Sequence, residues 1–248
     1  MRLTVVGCSG SLPGPESAAS CYLVEVGDSR IVLDLGSGAI GSLQRYVELA
    51  DVDAILLSHL HPDHCLDLCG YYVALRYGPD RSGGLIPVWG PPRTAARMAR
   101  AYDLPVDPGM TREFDFRTYP DGSFDVGTIR VTARRVVHPV PAYGLRIEHG
   151  GRVLAYSGDT GPTPALAELA AGADVLLCEA SFLGTDENPP HLHLTGTEAG
   201  EHAAAAGVGS LVLTHVPPWG EAERAQAEAA AVFADSVTLA RPGLVIDI

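Results

Sequence analysis

The sequence predicts an α/β protein of mixed sheets with helices on the outside, and three observations predict it. Short apolar runs rich in branched side chains recur along the chain at strand length, roughly 4–8 residues each. Between the later runs lie segments carrying helix start and stop signals. The length of 248 residues, 46% of them apolar and 19% charged, is an ordinary globular composition with enough chain for a core that needs no covalent staples. No repeat, low-complexity tract or linker divides the chain, so residues 1–248 read as a single domain.

The elements follow in order. Two strand-like runs, 21–26 and 30–34, flank Gly27-Asp28-Ser29, a hairpin turn. Gly36-Ser37-Gly38 leads into a helix over 39–49. Residues 54–57, Ala-Ile-Leu-Leu, suit a buried strand better than a helix. Residues 65–77 read as a helix apolar on most faces, hence substantially buried. The stretch 78–92 is rich in Gly and Pro and reads as loop, with a short strand at 86–89. Strands are expected at 129–137, 143–148, 152–157 and 175–179. Pro164 sits at the first position of a helix over 165–170. Thr195-Gly196-Thr197-Glu198 is a capping box opening an Ala-rich helix that Gly207 closes. A strand at 210–214, a helix over 221–234 and strands at 237–239 and 244–248 complete the chain.

The most informative segment is Ser58-His59-Leu60-His61-Pro62-Asp63-His64, directly after the 54–57 run. It places three imidazoles and a carboxylate on the turn where a strand ends. A regular strand or helix would send some of these side chains to the wrong face, whereas an irregular turn held by rigid flanks can converge them on a metal. A random match to this HxHxDH pattern is expected in roughly one such chain per thousand. A solvated turn is the bland alternative, but such turns favour Gly, Asn and Ser over His.

A site for two metals needs further ligands, and three isolated candidates stand at later strand ends: His138 after Val136-Val137, Asp159 after Ala155-Tyr156-Ser157-Gly158, and His215 after Leu211-Val212-Leu213-Thr214. If those strands share a layer, the three residues share an edge. Any one alone reads as a solvated or satisfied residue. Together with the turn, they read as ligands.

The five cysteines form no CxxC pair and are read as reduced and mostly buried, which suits a reducing compartment. No apolar run approaches the length of a membrane span, and the N-terminal residues lack signal-peptide character, so a cytoplasmic protein without membrane partners is expected. The formal charge is −13, and all 17 basic residues are Arg. Without a basic stripe, a long nucleic acid is a poor partner, because phosphate contacts dominate that affinity.

In these motifs the chain resembles the metallo-β-lactamase superfamily over nearly its whole length, from Val5-Val6-Gly7-Cys8-Ser9-Gly10-Ser11 to His215. The resemblance implies an αββα four-layer sandwich, two mixed β-sheets flanked by helices, with the motifs at the rim between the sheets. It implies that His59, His61 and His138 hold one divalent metal, that Asp63, His64 and His215 hold the other, and that Asp159 bridges them. Asp34 matches an early Asp that supports a ligand from behind and fixes its tautomer. The expected ligands are imidazoles and carboxylates without thiolate, which favours zinc, with manganese second. Two divalent cations against two carboxylates and one hydroxide leave about +1, which suits an anionic phosphodiester.

His193, in His191-Leu192-His193-Leu194-Thr195, precedes the capping-box helix, whose N-terminus is a natural anion site. This resembles the phosphodiesterase branch of the superfamily, typified by tRNA 3′-processing endoribonucleases. The resemblance implies that His193 protonates the leaving oxygen and that Glu179 orients it, help worth about two to four orders of magnitude. Unlike those enzymes, the chain shows no inserted basic arm between Cys65 and His138, has Asp67 where they have Gly, and reads Val216-Pro217-Pro218-Trp219 after His215. It is more similar to actinobacterial enzymes of this fold described as cyclic nucleotide phosphodiesterases. They share Gly7-Cys8-Ser9-Gly10-Ser11, the SHLHPDHCLDL segment from Ser58 to Leu68, and the stretches around Asp159, His193 and His215.

The expected activity is therefore hydrolysis of a small phosphodiester such as 3′,5′-cyclic AMP to the 5′-nucleotide, with Asp63 helping to orient the attacking hydroxide. The alternatives are a tRNA 3′-processing endoribonuclease and a lactonase or thioesterase on the same fold. The resemblance also suggests a homodimer. His149, His191 and His202 are read as bland, and Arg134 as part of a solvated face. Trp219 and the 7–17 loop are read either as covering a bound base or as a buried aromatic and an ordinary turn.

Overall fold

The computed structural model describes residues 1–78 and 84–248; residues 79–83 of the Gly/Pro-rich stretch expected as loop lie outside the described residues. The strands form two seven-stranded sheets. In the first, β1 (Arg2–Gly7), β2 (Cys21–Val26) and β3 (Ser29–Leu33) run antiparallel, and β4 (Ala54–Leu56), β5 (Ile86–Gly90) and β6 (Phe114–Thr118) follow in parallel to β3. In the second, β7 (Ser123–Val126), β8 (Ile129–Arg135) and β9 (Tyr143–His149) form an antiparallel meander onto β10 (Arg152–Tyr156). From there β11 (Val175–Glu179), β12 (Ser210–Thr214) and β13 (Ser236–Leu239) continue in parallel. The last strand, β14 (Val245–Asp247), returns to the first sheet beside β1.

Three apolar clusters fill the spaces between four layers. One lies between the sheets: Tyr22 and Val24 of β2 and Leu154 and Tyr156 of β10 belong to it. Their alternate neighbours, Cys21 and Leu23, point the other way into a cluster roofed by α1 (Ala39–Leu43), α3 (Leu68–Tyr77) and α4 (Thr94–Ala101). On the far side Val153 and Ala155 meet α5 (Pro164–Ala170), α6 (Gly196–Ala206) and α7 (Ala222–Ala230). A strand covered on both faces loses its polar alternation, which is why these strands read as continuous apolar runs. Each fully buried large side chain contributes about 1.5–3 kcal/mol. The arrangement is the αββα sandwich that the resemblance implies.

Direction decides where the site stands. Strands β10, β11 and β12 are mutually parallel, and β8, two antiparallel steps from β10, runs the same way. The residues that follow all four therefore emerge at one edge. The sheets are tied there by the Tyr143 amide donating to Ser58 O and by a bridge between Ser9 and Val216. Among the described residues no helix is long and apolar enough to cross a membrane.

Several elements differ from expectation. The helix expected over 65–77 starts at Leu68, as α3, and a separate short α2 (Pro62–Cys65) precedes it, with the backbone of Leu35 wedged between the two. Its N–H donates to His64 O and its carbonyl accepts from Asp67 N. The helix expected over 39–49 stops at Leu43, and a turn brings Val47 and Val52 into the core. The last helix ends at Ala230 rather than 234. Strands β1, β6 and β7 and helix α4 were not anticipated. In β6 the alternation Phe114-Asp115-Phe116-Arg117 is the signal that marks it.

Candidate metal centre

The turn after β4 is built from the backbone outward. Ser58 and His59 leave the strand fully buried; His61 is extended, and Pro62 at the first helical position starts α2, which carries Asp63 and His64. Two close approaches seat this turn. Gly36 lies against the Asp63 carbonyl so tightly that a Cβ would stand 1.9 Å from that oxygen, and Gly158 lies against Ser58.

Across the rim the second sheet supplies His138 after β8, Asp159 after β10 and His215 after β12. The structure brings all seven sequence-predicted residues together in two groups that share Asp159: His59, His61 and His138, then Asp63, His64 and His215. In the first, His61 Nδ1 lies 3.0 Å from His59 Nε2 and 3.2 Å from His138 Nε2. In the second, His215 Nε2 lies 3.0 Å from His64 Nε2 and 3.1 Å from Asp63 Oδ2. Ligand bonds of 2.0–2.1 Å in tetrahedral geometry put neighbouring donor atoms about 3.3 Å apart, so these spacings fit a cation at each group.

The tautomers point the same way. His64 Nδ1 lies 2.8 Å from Asp34 Oδ2, His138 Nδ1 2.9 Å from Leu192 O, His215 Nδ1 2.9 Å from Ser181 Oγ, and His59 Nδ1 3.1 Å from Ser58 Oγ. The Asp34 carboxylate and the Leu192 carbonyl only accept and so place the proton on Nδ1 of His64 and His138. The Ser181 and Ser58 hydroxyls can accept the same proton from His215 and His59, and a ring so held leaves its Nε2 lone pair facing the cluster. Converging lone pairs cannot satisfy one another, and Asp159 Oδ1 is buried without a hydrogen bond. A divalent cation satisfies both.

The electrostatics agree. Burial, then the charge of His64, keeps His59 neutral, and burial also lowers His61 and His138. Burial works against ionisation of Asp63, yet the neighbouring His215 and His64 hold its carboxyl well below the usual range. His64 goes the other way: despite its burial, Asp159 and Asp34 favour a proton on it, which a cation would displace.

Behind the ligands stands a buried polar layer. Asp34, at φ 56° just past β3, accepts from the Ser58 amide and hydroxyl, His64 Nδ1 and the Tyr156 hydroxyl at 2.6–2.8 Å. Ser58, Tyr156, Ser181 and the Leu192 carbonyl were missed in the sequence. Ser58 and Ser181 lie beside residues singled out there, a usable signal; Tyr156 reaches Asp34 across 122 positions and carries none.

Glu179, fully buried at the end of β11, is saturated. Oε1 accepts from the Thr160 amide and His193 Nδ1, and Oε2 from the Ser181 hydroxyl and the Leu194 amide. His193 therefore keeps Nε2 free, with its ring 5.6 Å from that of His138 and 5.4 Å from that of His215. Burial opposes a charge on His193, but Glu179 outweighs it and raises the imidazole to about 9. The capping box of α6 is present, Thr195 and Glu198 bonding reciprocally.

Beside the centre lies a cleft of about 440 Å³ lined by Ser11, Phe182, His193, Val216 and Trp219 among others. Trp219 is 68% exposed, which removes the buried-aromatic reading. All five cysteines are free, and none belongs to the two groups. His191 is exposed at φ 62°, while His149 is half-buried against Thr128 O and His202 half-buried on α6. Arg134 is exposed.

Residues 29–216 match the beta-lactamase superfamily domain. The chain belongs to this superfamily. An uncharacterized protein of Mycobacterium leprae is 46% identical over 254 residues, covering 100% of this chain and 89% of that protein. The probable metallo-hydrolase YhfI of Bacillus subtilis is 30% identical over 247 residues, 99% of each chain. Its crystal structure matches with a TM-score of 0.89 at 28% identity over 99% of each. A ribonuclease Z of Mycolicibacterium paratuberculosis is 32% identical over 275 residues, covering 96% of this chain and 95% of that enzyme. Within the superfamily the chain falls in the tRNase Z-like branch of metal-dependent hydrolases.

Proposed function

We propose that this single hydrolase domain holds two divalent ions, zinc first and manganese second, and hydrolyses a small phosphodiester, 3′,5′-cyclic AMP or a similar cyclic nucleotide, to the 5′-nucleotide in the cytoplasm. The observation that carries the reading is the Glu179–His193 pair, an imidazole held by a buried carboxylate at 3.0 Å beside the candidate metal ligands. A lactonase or thioesterase on this scaffold has no need of it.

Bound divalent ions would polarise the phosphoryl group and lower the pKa of an attacking water. Asp63 orients that water through its carboxylate. Glu179 holds the proton on His193 Nδ1 and its charge favours a second proton on Nε2, which His193 donates to the leaving 3′ oxygen. The adjoining cleft falls within the roughly 300–1,000 Å³ usual for small-molecule sites. A second reading, tRNA 3′ processing, is favoured by the likeness to ribonuclease Z, but the charge of −13 and the absence of lysine weigh against a polyanion.

The test is turnover of 2′,3′- and 3′,5′-cyclic AMP and bis-p-nitrophenyl phosphate by zinc- or manganese-loaded protein, with His193→Ala beside it. Hydrolysis of 3′,5′-cyclic AMP that drops about 10²–10⁴-fold in the variant supports the proposal. Activity on the generic diester alone moves the substrate to another diester or to RNA, and silence on all three overturns the phosphodiesterase reading.

A further inference from the structure

We infer that Ser181 is a positioning residue whose hydroxyl joins His215 to the Glu179–His193 pair, so that one metal group and the proton donor form a single hydrogen-bonded unit. The inference rests on the proposed metal centre.

Ser181 lies two residues beyond Glu179, half-buried, with Oγ 2.9 Å from His215 Nδ1, 2.8 Å from His215 O and 3.1 Å from Glu179 Oε2. His215 turns Nε2 towards Asp63 and His64, so its proton belongs on Nδ1, and the acceptor found there is Ser181 Oγ. A hydroxyl that accepts this N–H still has one proton to give, and Glu179 Oε2 and the His215 carbonyl are within reach. The other oxygen of Glu179 receives His193. With that proton on Glu179 Oε2, the bonds run His215 to Ser181 to Glu179, and His193 donates to that carboxylate from the other side.

His215 also sits at φ 60°, and its carbonyl packs so closely on Gly10 that a Cβ there would lie 2.1 Å away. Its backbone is fixed by packing, whereas its tautomer depends on the Ser181 hydroxyl. Removing the hydroxyl leaves Nδ1–H without an acceptor and frees the proton to move to Nε2, where it blocks the lone pair that a cation needs.

The test uses zinc alone, titrated against a chromophoric chelator without substrate. Ser181→Ala is expected to keep one zinc equivalent at wild-type affinity, on His59, His61 and His138, and to bind the other about 10–100-fold more weakly. The retained tight equivalent reports an intact fold. Ser181→Thr keeps the hydroxyl and is expected to restore the second equivalent. With bis-p-nitrophenyl phosphate at saturating zinc, kcat of Ser181→Ala falls while KM holds. Wild-type affinity for both equivalents in Ser181→Ala overturns the inference, as does a loss that Ser181→Thr fails to restore. Because the titration contains no substrate, inactivity on cyclic nucleotides leaves it standing, whereas a wild-type chain that binds no zinc overturns the reading of the centre itself.

Discussion

At the scale of single residues, the tuning of His193 depends on one contact. Glu179 raises this imidazole to about 9 against the effect of its burial, and bound cations beside it would lower it from there. In the proposed reaction the protonated form is the donor, so the rate is expected to fall as pH rises through this pKa. Glu179→Gln removes the charge that raises it. The alkaline limb of kcat is then expected to move to lower pH, with kcat reduced by about two orders of magnitude or more at pH 8; a pH profile of the loaded variant checks this. His193 was marked in the sequence by its place before the capping-box helix, and Glu179 only by the resemblance. The saturation of Glu179 by four donors was not, because two of them, Thr160 and Leu194, are backbone amides supplied by distant turns.

At the scale of elements, the metal-binding turn is a packing problem before it is a chemical one. HxHxDH was legible because a strand end is where such a turn can be held. The break between α2 and α3 was not, since the helical pattern of 65–77 gives no hint that Leu35 would wedge its backbone there. The glycine at 36 shows how little room remains. Gly36→Ala would drive a methyl into the Asp63 carbonyl, and overpacking of this kind costs about 1–3 kcal/mol. The variant is expected to melt lower and to retain less than a full complement of zinc, as measured by calorimetry and metal analysis.

At the scale of the molecule, two sheets from separate stretches of chain each supply part of the centre, so metal binding and the sandwich stabilise each other. A ligand present at 1,000 times its Kd adds about 4 kcal/mol. For a chain of this size each kcal/mol moves Tm by roughly 2–4 °C. Removal of metal by a chelator is therefore expected to lower Tm by about 8–16 °C for each ion lost, reversibly on adding zinc; an unchanged Tm would speak against metal ligation across the sheets. The net charge of −13 belongs to this scale too. Turnover of a cyclic nucleotide is expected to change by no more than about 2-fold between 50 and 200 mM salt, where a protein gripping a long polyanion loses about 10³–10⁵ in affinity.

The sequence by itself determined the chemistry and the fold class: which residues carry imidazole and carboxylate, that they stand at strand ends, and that apolar runs alternate with helices. Those are local properties, written in residue type, spacing and capping signals. Only the tertiary structure decided that β8, β10 and β12 point one way, so that His138, Asp159 and His215 meet the turn after β4, and that Tyr156, Ser58 and Asp34 close behind it. Strand direction and cross-sheet contact depend on pairing between segments far apart in the chain, and no local pattern encodes which partner a buried, uniformly apolar strand will choose.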